Sequence, residues 1–359
     1  MITIDGGRKS GSGTIVRDTL SYSVITGESV RLMNIRAGRD KPGLRPQHMK
    51  AIQAVAQLNQ GHLEGDSVGS SEIIYHPGTV IRGGEYRWNI GTAGSTTMLL
   101  CTVLPLALFA GDDSRYVITG GLFQDYAPPA YHIQHVLAPQ LRKMGAETEI
   151  RVLRPGYFPK GGGGLEVETK PVTRPLHPLH LSSQGEVKRI SGIALSSRLQ
   201  DRKVSDRMAA ACRNQLQSGG YDADIEVLYD TEAAPVYNQV APQPGAALAV
   251  WCETKNACRL GADMAGAPGR PAERIGQHVA LTLQEDLHSG GTTDRFLADQ
   301  LVPFVALASG TSEYVVPMMT DHIDTRLWLA EKMLEIRKEW SGNRLRVTGL
   351  GFQEMENMT

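Results

Sequence analysis

The stretch TIVRDTLSYSVITGESVRLMNIRAGRDKPGLRPQHMKAIQAVAQLNQG (residues 14–61) combines the patterns of two helices and a strand. Residues 14–26 carry apolar side chains near helical spacing, and Gly27 follows as a C-cap. Residues 29–35 alternate like a strand, and residues 47–60 predict a second amphipathic helix that ends at Gly61. The succession of helix, strand and helix predicts an α/β unit.

Similar elements continue on both sides of this stretch. A short strand is predicted at MITIDG, and the residues that follow predict strands and helices in turn over the first 170 residues or so. Strands are expected at 70–78, 85–91, 115–121, 146–153 and 165–171, and helices at 95–110 and 130–145. The pattern predicts an α/β fold (α+β in its layering) of repeated units, although no repeat is visible in the sequence itself.

The composition changes near residue 180. Residues 182–274 have their own strands and a helix at 204–219, which predicts a smaller inserted α/β domain. The main domain then comprises residues 1–181 and 275–359, and the helical segment from residue 272 is expected to lead the chain back to it.

Composition excludes several classes of protein. The chain has 359 residues, 21% of them charged, and a net charge of −1, which excludes a disordered chain and a bulk electrostatic grip on long nucleic acid. Its four cysteines lack zinc-ligand spacing and are expected to be free thiols. We expect a cytoplasmic protein that does not enter a membrane, because the start shows no secretory signal and the apolar run 97–111 is too short to span a bilayer.

The Gly-rich first loop and the arginine-rich loop after the first predicted helix–strand pair are candidate phosphate sites. The Gly-rich loop DGGRKSGSGT (residues 5–14) precedes a helix and could expose backbone N–H groups to phosphate. The alternative is that these small residues form a tight turn without a binding role. Arg36, Arg39, Lys41 and Arg45 fall within ten residues of a Pro/Gly-rich loop. Arginine forks match phosphate oxygens, whereas the alternative is a solvated run of charges.

The C-terminal third supplies a candidate nucleophile. His322 stands in MMTDHIDT (residues 318–325), on what is expected to be a loop entering a helix at Asp324. A neutral imidazole can attack a phosphoryl centre and form a phosphoramidate. Asp299 and Gln300 lie in FLADQL (residues 296–301), where a polar segment meets an apolar run.

Taken in order, these motifs resemble the RNA 3'-terminal phosphate cyclase family over nearly the whole chain. The resemblance rests on IDG with the Gly-rich loop and Arg17, and on IRAGRDKPGLRPQH, YRWNIGTAGSTT, VLP, APP, RPGYFPKGGG, LADQL and the segment from Tyr314 through His322 to Glu331. It implies three repeated βαβαββ-like units plus the inserted domain.

The resemblance also implies a site and a reaction. His322 would take AMP from ATP, pass it to an RNA 3'-phosphate, and so permit closure of a 2',3'-cyclic phosphate. The implied nucleotide- and phosphate-binding residues are Arg17, Arg36, Arg39, Lys41, Phe296, Asp299 and Gln300. ATP is the implied cofactor, and a divalent cation (Mg or Mn) would help to neutralise phosphate charge.

The chain departs from the family pattern at several positions. The family's first loop carries a glutamate in a Gln-Gly-Glu-Gly-Gly run, whereas this loop reads Arg8, Lys9, Ser10. A serine hydroxyl is a weak neutral ligand, so we expect weaker metal dependence, and the metal ligands are unknown. Cys101 replaces a usual glutamine, and residues 123–126 replace the usual Asn/Pro-type residues before APP.

Three functions are consistent with these features. The first is an RNA 3'-phosphate cyclase. The second is an enzyme of the same chemistry that adenylylates another phosphorylated small substrate or a carboxylate. The third is a catalytically inactive cyclase-like protein that binds RNA or protein. His322 with the arginines argues against the third, and loss of the loop carboxylate favours the second or third. The oligomeric state stays open.

Overall fold

Four sheets organise the chain. The computed structural model describes residues 1–353, and its named strands form four sheets of four strands each. Helices pack beside each sheet, so the predicted layered α/β fold is confirmed.

The first unit contains residues 14–61. Its strand order is β1-β2-β4-β3, with β1 and β2 parallel and the other neighbours antiparallel. Helix α1 ends at Gly27, which has a φ of 69°, as the C-cap prediction requires. The elements are β1 (Ile2–Asp5), α1 (Gly13–Thr26), β2 (Val30–Met33), α2 (Pro46–Asn59), β3 (His62–Glu64) and β4 (Ile73–His76).

The second unit repeats this arrangement with the order β5-β6-β8-β7. The helix predicted at 130–145 is interrupted by a π-helical turn, Ile133–Leu137. Pro139 follows this turn and cannot donate a helical hydrogen bond, which favours a local change in helix geometry. The elements are β5 (Gly84–Asn89), α3 (Thr96–Ala107), β6 (Ser114–Gly120), α4 (Ala130–His132), α5 (Ala138–Lys143), β7 (Thr148–Arg154) and β8 (Gly163–Thr169).

A third unit begins at β9 (His180–Leu181), and the chain then leaves it for an inserted sheet. The inserted sheet has the order β11-β10-β12-β13, which differs from the other units. Helix α7, expected to belong to the main domain, packs on α6, β12 and β13 instead. The elements are β10 (Val187–Ser197), α6 (Val204–Ser218), β11 (Ala223–Asp230), β12 (Gly245–Thr254), β13 (Arg259–Ala265) and α7 (Ala272–His288). The domain limits 182–274 stay a prediction.

The chain then completes the third unit. Strand β9 pairs in parallel with β14, and the sheet order β9-β14-β16-β15 matches the first two units. The remaining elements are α8 (Leu297–Gln300), α9 (Val302–Leu307), β14 (Ser309–Val315), α10 (Asp321–Leu334), β15 (Arg337–Ser341) and β16 (Arg344–Leu350). Three units of equal strand order confirm the predicted repeat.

Helices α1 and α3 are almost entirely buried. Helix α1 contacts α2, α3 and α10, so it lies between the first, second and third units. Helix α3 is the apolar run flagged in the sequence, and Leu99, Leu100 and Leu104 are buried in the core. Within residues 1–353, no helix is long and apolar enough to cross a membrane.

Candidate active site

His322 lies in the first turn of α10, not on the loop that the sequence predicted. The helix begins at Asp321, three residues earlier than expected, because the Thr320 hydroxyl caps it by accepting a hydrogen bond from the Ile323 N–H at 3.2 Å. The His322 side chain is exposed. The imidazole is therefore accessible and held on a rigid element.

A cavity of about 450 Å³ adjoins His322. Its walls come from all three units and the inserted sheet, which meet here. The lining residues are Thr14, Arg17, Met98, Cys101, Gln124, Asp125, Tyr126, Ala127, Pro128, Asp263, Met264, Arg270, His278, Phe296, Asp299, Gln300, His322 and Arg326. The volume lies within the range typical of small-molecule sites.

Five of the residues predicted from the sequence meet in this cavity: Arg17, Phe296, Asp299, Gln300 and His322. They come from α1, α8 with its N-cap, and α10, which are distant in sequence. Burial lowers the pKa of Arg17 to about 10, so its guanidinium stays charged at neutral pH. The set combines an accessible imidazole, a cation and an aromatic ring.

Arg36, Arg39 and Lys41 do not line this cavity. Arg36 has a left-handed φ of 54°, and its Nη1 donates to the carbonyl oxygens of Lys41 at 2.6 Å and Gly43 at 3.0 Å. Part of its guanidinium thus fixes the shape of its own loop. Phosphate binding by these three residues stays a prediction.

The divergent first loop packs against the start of α10. Arg39 Nη2 donates to the Ser10 carbonyl oxygen at 2.8 Å, and the Ser10 N–H donates to Thr325 Oγ1 at 3.2 Å. Lys9 Nζ forms an ion pair with Asp324 at 3.0 Å, and Arg8 is exposed. The loop therefore lies beside the helix turn that carries His322.

A buried arginine between two carboxylates escaped the sequence analysis. Arg326 Nε lies 3.4 Å from Asp18 Oδ2 and 3.3 Å from Asp299 Oδ2. Burial opposes the charge on Arg326, but the two carboxylates outweigh it and raise its pKa. Burial raises the pKa of Asp18 and of Asp299, and Arg326 limits that rise. The sequence did contain one indication of this residue: Arg326 follows His322 by four positions, which places both side chains on one face of a helix.

The inserted sheet supplies a wall that the sequence also missed. Asp263 stands on β13, Arg270 follows it, and His278 lies on α7. Arg270 donates to both carboxylate oxygens of Asp125, at 3.1 and 2.8 Å, and so joins the inserted segment to the loop after β6. Gln124 to Tyr126, flagged as departures, thus belong to the cavity.

The side chains do not fit a metal ion held by the protein alone. Among residues 1–353, no group of three His, Cys, Asp or Glu side chains could hold one. Two cavity carboxylates, Asp125 and Asp299, already pair with arginines. Ser10 Oγ donates to Ser12 Oγ at 2.9 Å. Burial raises the pKa of the Cys101 thiol to about 11, so it is neutral.

Comparison with known proteins assigns a family to this arrangement. The family model described as RNA 3'-terminal phosphate cyclase matches residues 8–339. A protein of Caldivirga maquilingensis with that name is 37% identical over 340 residues, covering 94% of each chain. Proteins of the same name from Pyrococcus furiosus and Nitrosospira multiformis are 38% and 39% identical. They cover 92% and 94% of this chain, and 93% and 92% of their own.

Proposed function

This chain belongs to the RNA 3'-terminal phosphate cyclase family, and from that premise we propose that it is an ATP-dependent enzyme that converts an RNA 3'-phosphate into a 2',3'-cyclic phosphate. One observation carries the proposal for this chain. The exposed His322 lines the same cavity as Arg17, Asp299 and Gln300, although these residues are far apart in sequence.

In the first step, His322 attacks the α-phosphate of ATP. A neutral imidazole nitrogen forms the bond to phosphorus, pyrophosphate leaves, and AMP stays on the ring. His322 lies in the first turn of α10, whose backbone N–H groups and helix dipole favour a phosphate placed there. The histidine and the anion-stabilising helix end are thus supplied by one element.

The nucleotide is proposed to bind along α8. Phe296 is 42% exposed and can stack on the base. Gln300 is buried, and its Oε1 has no hydrogen-bond partner among the described residues. Buried amide oxygens are normally satisfied, so Gln300 is suited to accept a hydrogen bond from the nucleotide. The adjacent residue, Asp299, is proposed to contact the nucleotide as well.

Cations are proposed to neutralise the phosphates. Arg17 faces the cavity directly. Arg36, Arg39 and Lys41 are proposed to reach phosphates of ATP or RNA from the adjoining loop, since a guanidinium has five N–H donors and Arg36 spends only Nη1 on its loop. No step is assigned to a metal ion, because the donor set does not fit one.

The later steps use the RNA. AMP passes from His322 to the RNA 3'-phosphate and makes a phosphoanhydride. The neighbouring 2'-hydroxyl then attacks the phosphorus of the 3'-phosphate, and AMP leaves. The transfer of AMP needs the RNA 3'-phosphate beside the adenylylated histidine, and the wall formed by β13 and the loop after β6 would position the RNA there.

The function is tested with an RNA oligonucleotide that ends in a 3'-phosphate. Incubation with ATP should yield equal amounts of 2',3'-cyclic phosphate, AMP and pyrophosphate, and His322→Ala should abolish all three. An oligonucleotide ending in a 3'-hydroxyl is the substrate control. If the wild-type protein cleaves ATP to AMP only in the presence of another phosphorylated or carboxylate acceptor, that acceptor replaces RNA as the proposed substrate.

The structure offers a specific reason to keep that second candidate. The Asp125–Arg270 ion pair stands where the chain departs from the family pattern, on the wall proposed to receive the acceptor. Ser10 and Lys9 differ beside the nucleophile as well. A protein that neither takes up AMP nor transfers it would instead be a cyclase-like binding protein.

A further inference from the structure

Asp263 is a cavity carboxylate without a role in the steps above. Three described carboxylates line the cavity: Asp125, Asp263 and Asp299. Asp125 is held by Arg270 at 2.8 Å, and Asp299 lies 3.3 Å from Arg326. No side chain or backbone group within residues 1–353 forms a hydrogen bond or ion pair with the Asp263 carboxylate. It is therefore free to engage a bound molecule.

The surroundings of Asp263 suit a base that works near neutral pH. Burial is the main cause that raises the pKa of Asp263 to about 7. Among the neighbouring charges, His132 opposes this rise, whereas Asp294 and Asp125 add to it. Asp294 is itself fully engaged, since it accepts from His132 Nε2 at 3.1 Å and from the Gly261 N–H at 2.7 Å. A base is most effective when its pKa is close to the working pH.

The geometry of cyclisation calls for a base away from His322. In an in-line displacement, the attacking 2'-oxygen stands opposite the leaving AMP, and AMP arrives from the His322 side of the cavity. Asp263 projects from β13, on the wall supplied by the inserted sheet, whereas His322 belongs to α10. A carboxylate on this separate wall can meet the hydroxyl while AMP departs on the other side.

We propose that Asp263 is the general base of the cyclisation step, an inference that rests on the proposed function. Its carboxylate takes the proton of the RNA 2'-hydroxyl as the 2'-oxygen bonds to the phosphorus of the adenylylated 3'-phosphate. The bond from that phosphorus to the oxygen of AMP breaks, and AMP leaves with the bonding electrons. Asp263 then returns its proton to water, and the cycle is balanced.

The test separates the steps in a single turnover. Enzyme carrying labelled AMP on His322 is isolated and mixed with RNA that ends in a 3'-phosphate. For Asp263→Asn we expect normal adenylylation and normal transfer to RNA, followed by accumulation of adenylylated RNA. Cyclisation should slow by about 100-fold or more, the usual contribution of a general base. Asp224→Asn, an exposed change on β11 of the same sheet, is the control and should behave as wild type.

The pH profile and a conservative variant exclude a structural role. Wild-type cyclisation should rise with pH and level off above about 7, as Asp263 loses its proton. Asp263→Asn should lose this rise, and Asp263→Glu should recover part of the rate. Cyclisation by Asp263→Asn at the wild-type rate, or equal slowing of all three steps, would overturn the assignment. Wild-type protein that never takes up AMP would instead reject the proposed function.

Discussion

Two sides of one cavity hold their arginines in contrasting ways. On the side proposed to bind the nucleotide, the side chain of Arg326 is 5% exposed, between Asp18 at 4% and Asp299 at 17%. On the side proposed to bind the acceptor, Arg270 is 23% exposed and its partner Asp125 is 37% exposed. A buried network keeps one geometry, whereas water reaches the second pair and competes for it. We therefore expect the first side to be preorganised, and the second to exchange the Asp125–Arg270 contact for one with an incoming phosphate.

Removal of Arg326 should produce the largest effect on stability. Arg326→Met leaves the buried Asp18 and the largely buried Asp299 without their cation, and breaking such a buried ion pair costs about 3–5 kcal/mol. Urea denaturation at neutral pH measures the loss. Arg207→Met, which breaks the half-exposed Arg207–Glu273 pair, is the matched control and should leave the free energy of unfolding close to that of the wild type.

The pH dependence gives this prediction a sign. Burial raises the pKa of both carboxyls above their ordinary value of 3.8, and loss of Arg326 should raise it further. A group with a raised pKa in the folded state loses stability as pH rises above its unfolded value. The deficit of Arg326→Met should therefore shrink as the pH is lowered. A deficit equal to that of Arg207→Met would contradict the contrast between the two sides.

The sequence singled out the cavity residues around His322 but not those around Asp263, and the reason is physical. His322, Asp299 and Gln300 stand in short motifs whose order could be matched along the chain. Arg326 shares a helix face with His322 and could have been found from its spacing. By contrast, Asp263 and Asp125 meet only because the inserted sheet folds against the loop after β6. No local pattern encodes that contact.

The elements of the fold also divide into those that local sequence patterns predicted and those that depend on contacts seen only in the structure. Helices α1 and α2 follow from apolar periodicity, but the start of α10 was predicted three residues late. The Thr320 cap decides that boundary, and its hydrogen bond is visible only in the structure. Helix α7 was expected to return to the main domain, and its packing on α6 depends on tertiary contacts that periodicity cannot reveal.

The next largest effect should distinguish a cavity arginine from a loop arginine. Arg17→Ala removes a charge that faces the cavity. The free energy of ATP binding, and with it adenylylation, should therefore weaken by about 1.5–3 kcal/mol, a roughly 10- to 150-fold loss of affinity. Arg36→Ala should weaken phosphate binding as well, but it should also lower the melting temperature because Lys41 and Gly43 lose a donor. Titration with ATP and thermal melts measure both quantities.

Arg39→Ala completes this comparison. Arg39 joins its loop to Ser10, so its loss should affect the position of the first loop more than the stability of the fold. If these variants of the 36–45 loop lower only the melting temperature and leave ATP affinity unchanged, the loop is structural and its phosphate role is wrong.

A smaller change is expected from the divergent first loop. Ser10→Glu adds a carboxylate beside α10, and it should increase the dependence of adenylylation on Mg or Mn several-fold. Lys9→Met is the companion variant, because it removes the partner of Asp324 without adding a metal ligand. Wild-type protein with the same metal dependence as Ser10→Glu would show that Ser10 does not weaken metal use.

The smallest effect on stability should come from the exposed acceptor-side pair. Asp125→Asn breaks the bidentate contact with Arg270 and should change the free energy of unfolding by at most about 1 kcal/mol. Because Arg270 is then released, we expect the affinity for RNA 3'-phosphate to change while ATP affinity does not. A change in ATP affinity alone would place the nucleotide, not the acceptor, on this wall.

We expect His322 to carry AMP, and mapping the labelled residue checks this expectation. After incubation with α-labelled ATP, acid-labile label should appear on the chain, and peptide mass spectrometry should place AMP on His322. His322→Ala should abolish the adduct. His278→Ala, which removes the other histidine that lines the cavity, should retain it. An adduct that persists in His322→Ala, or that disappears in His278→Ala alone, would contradict the assignment.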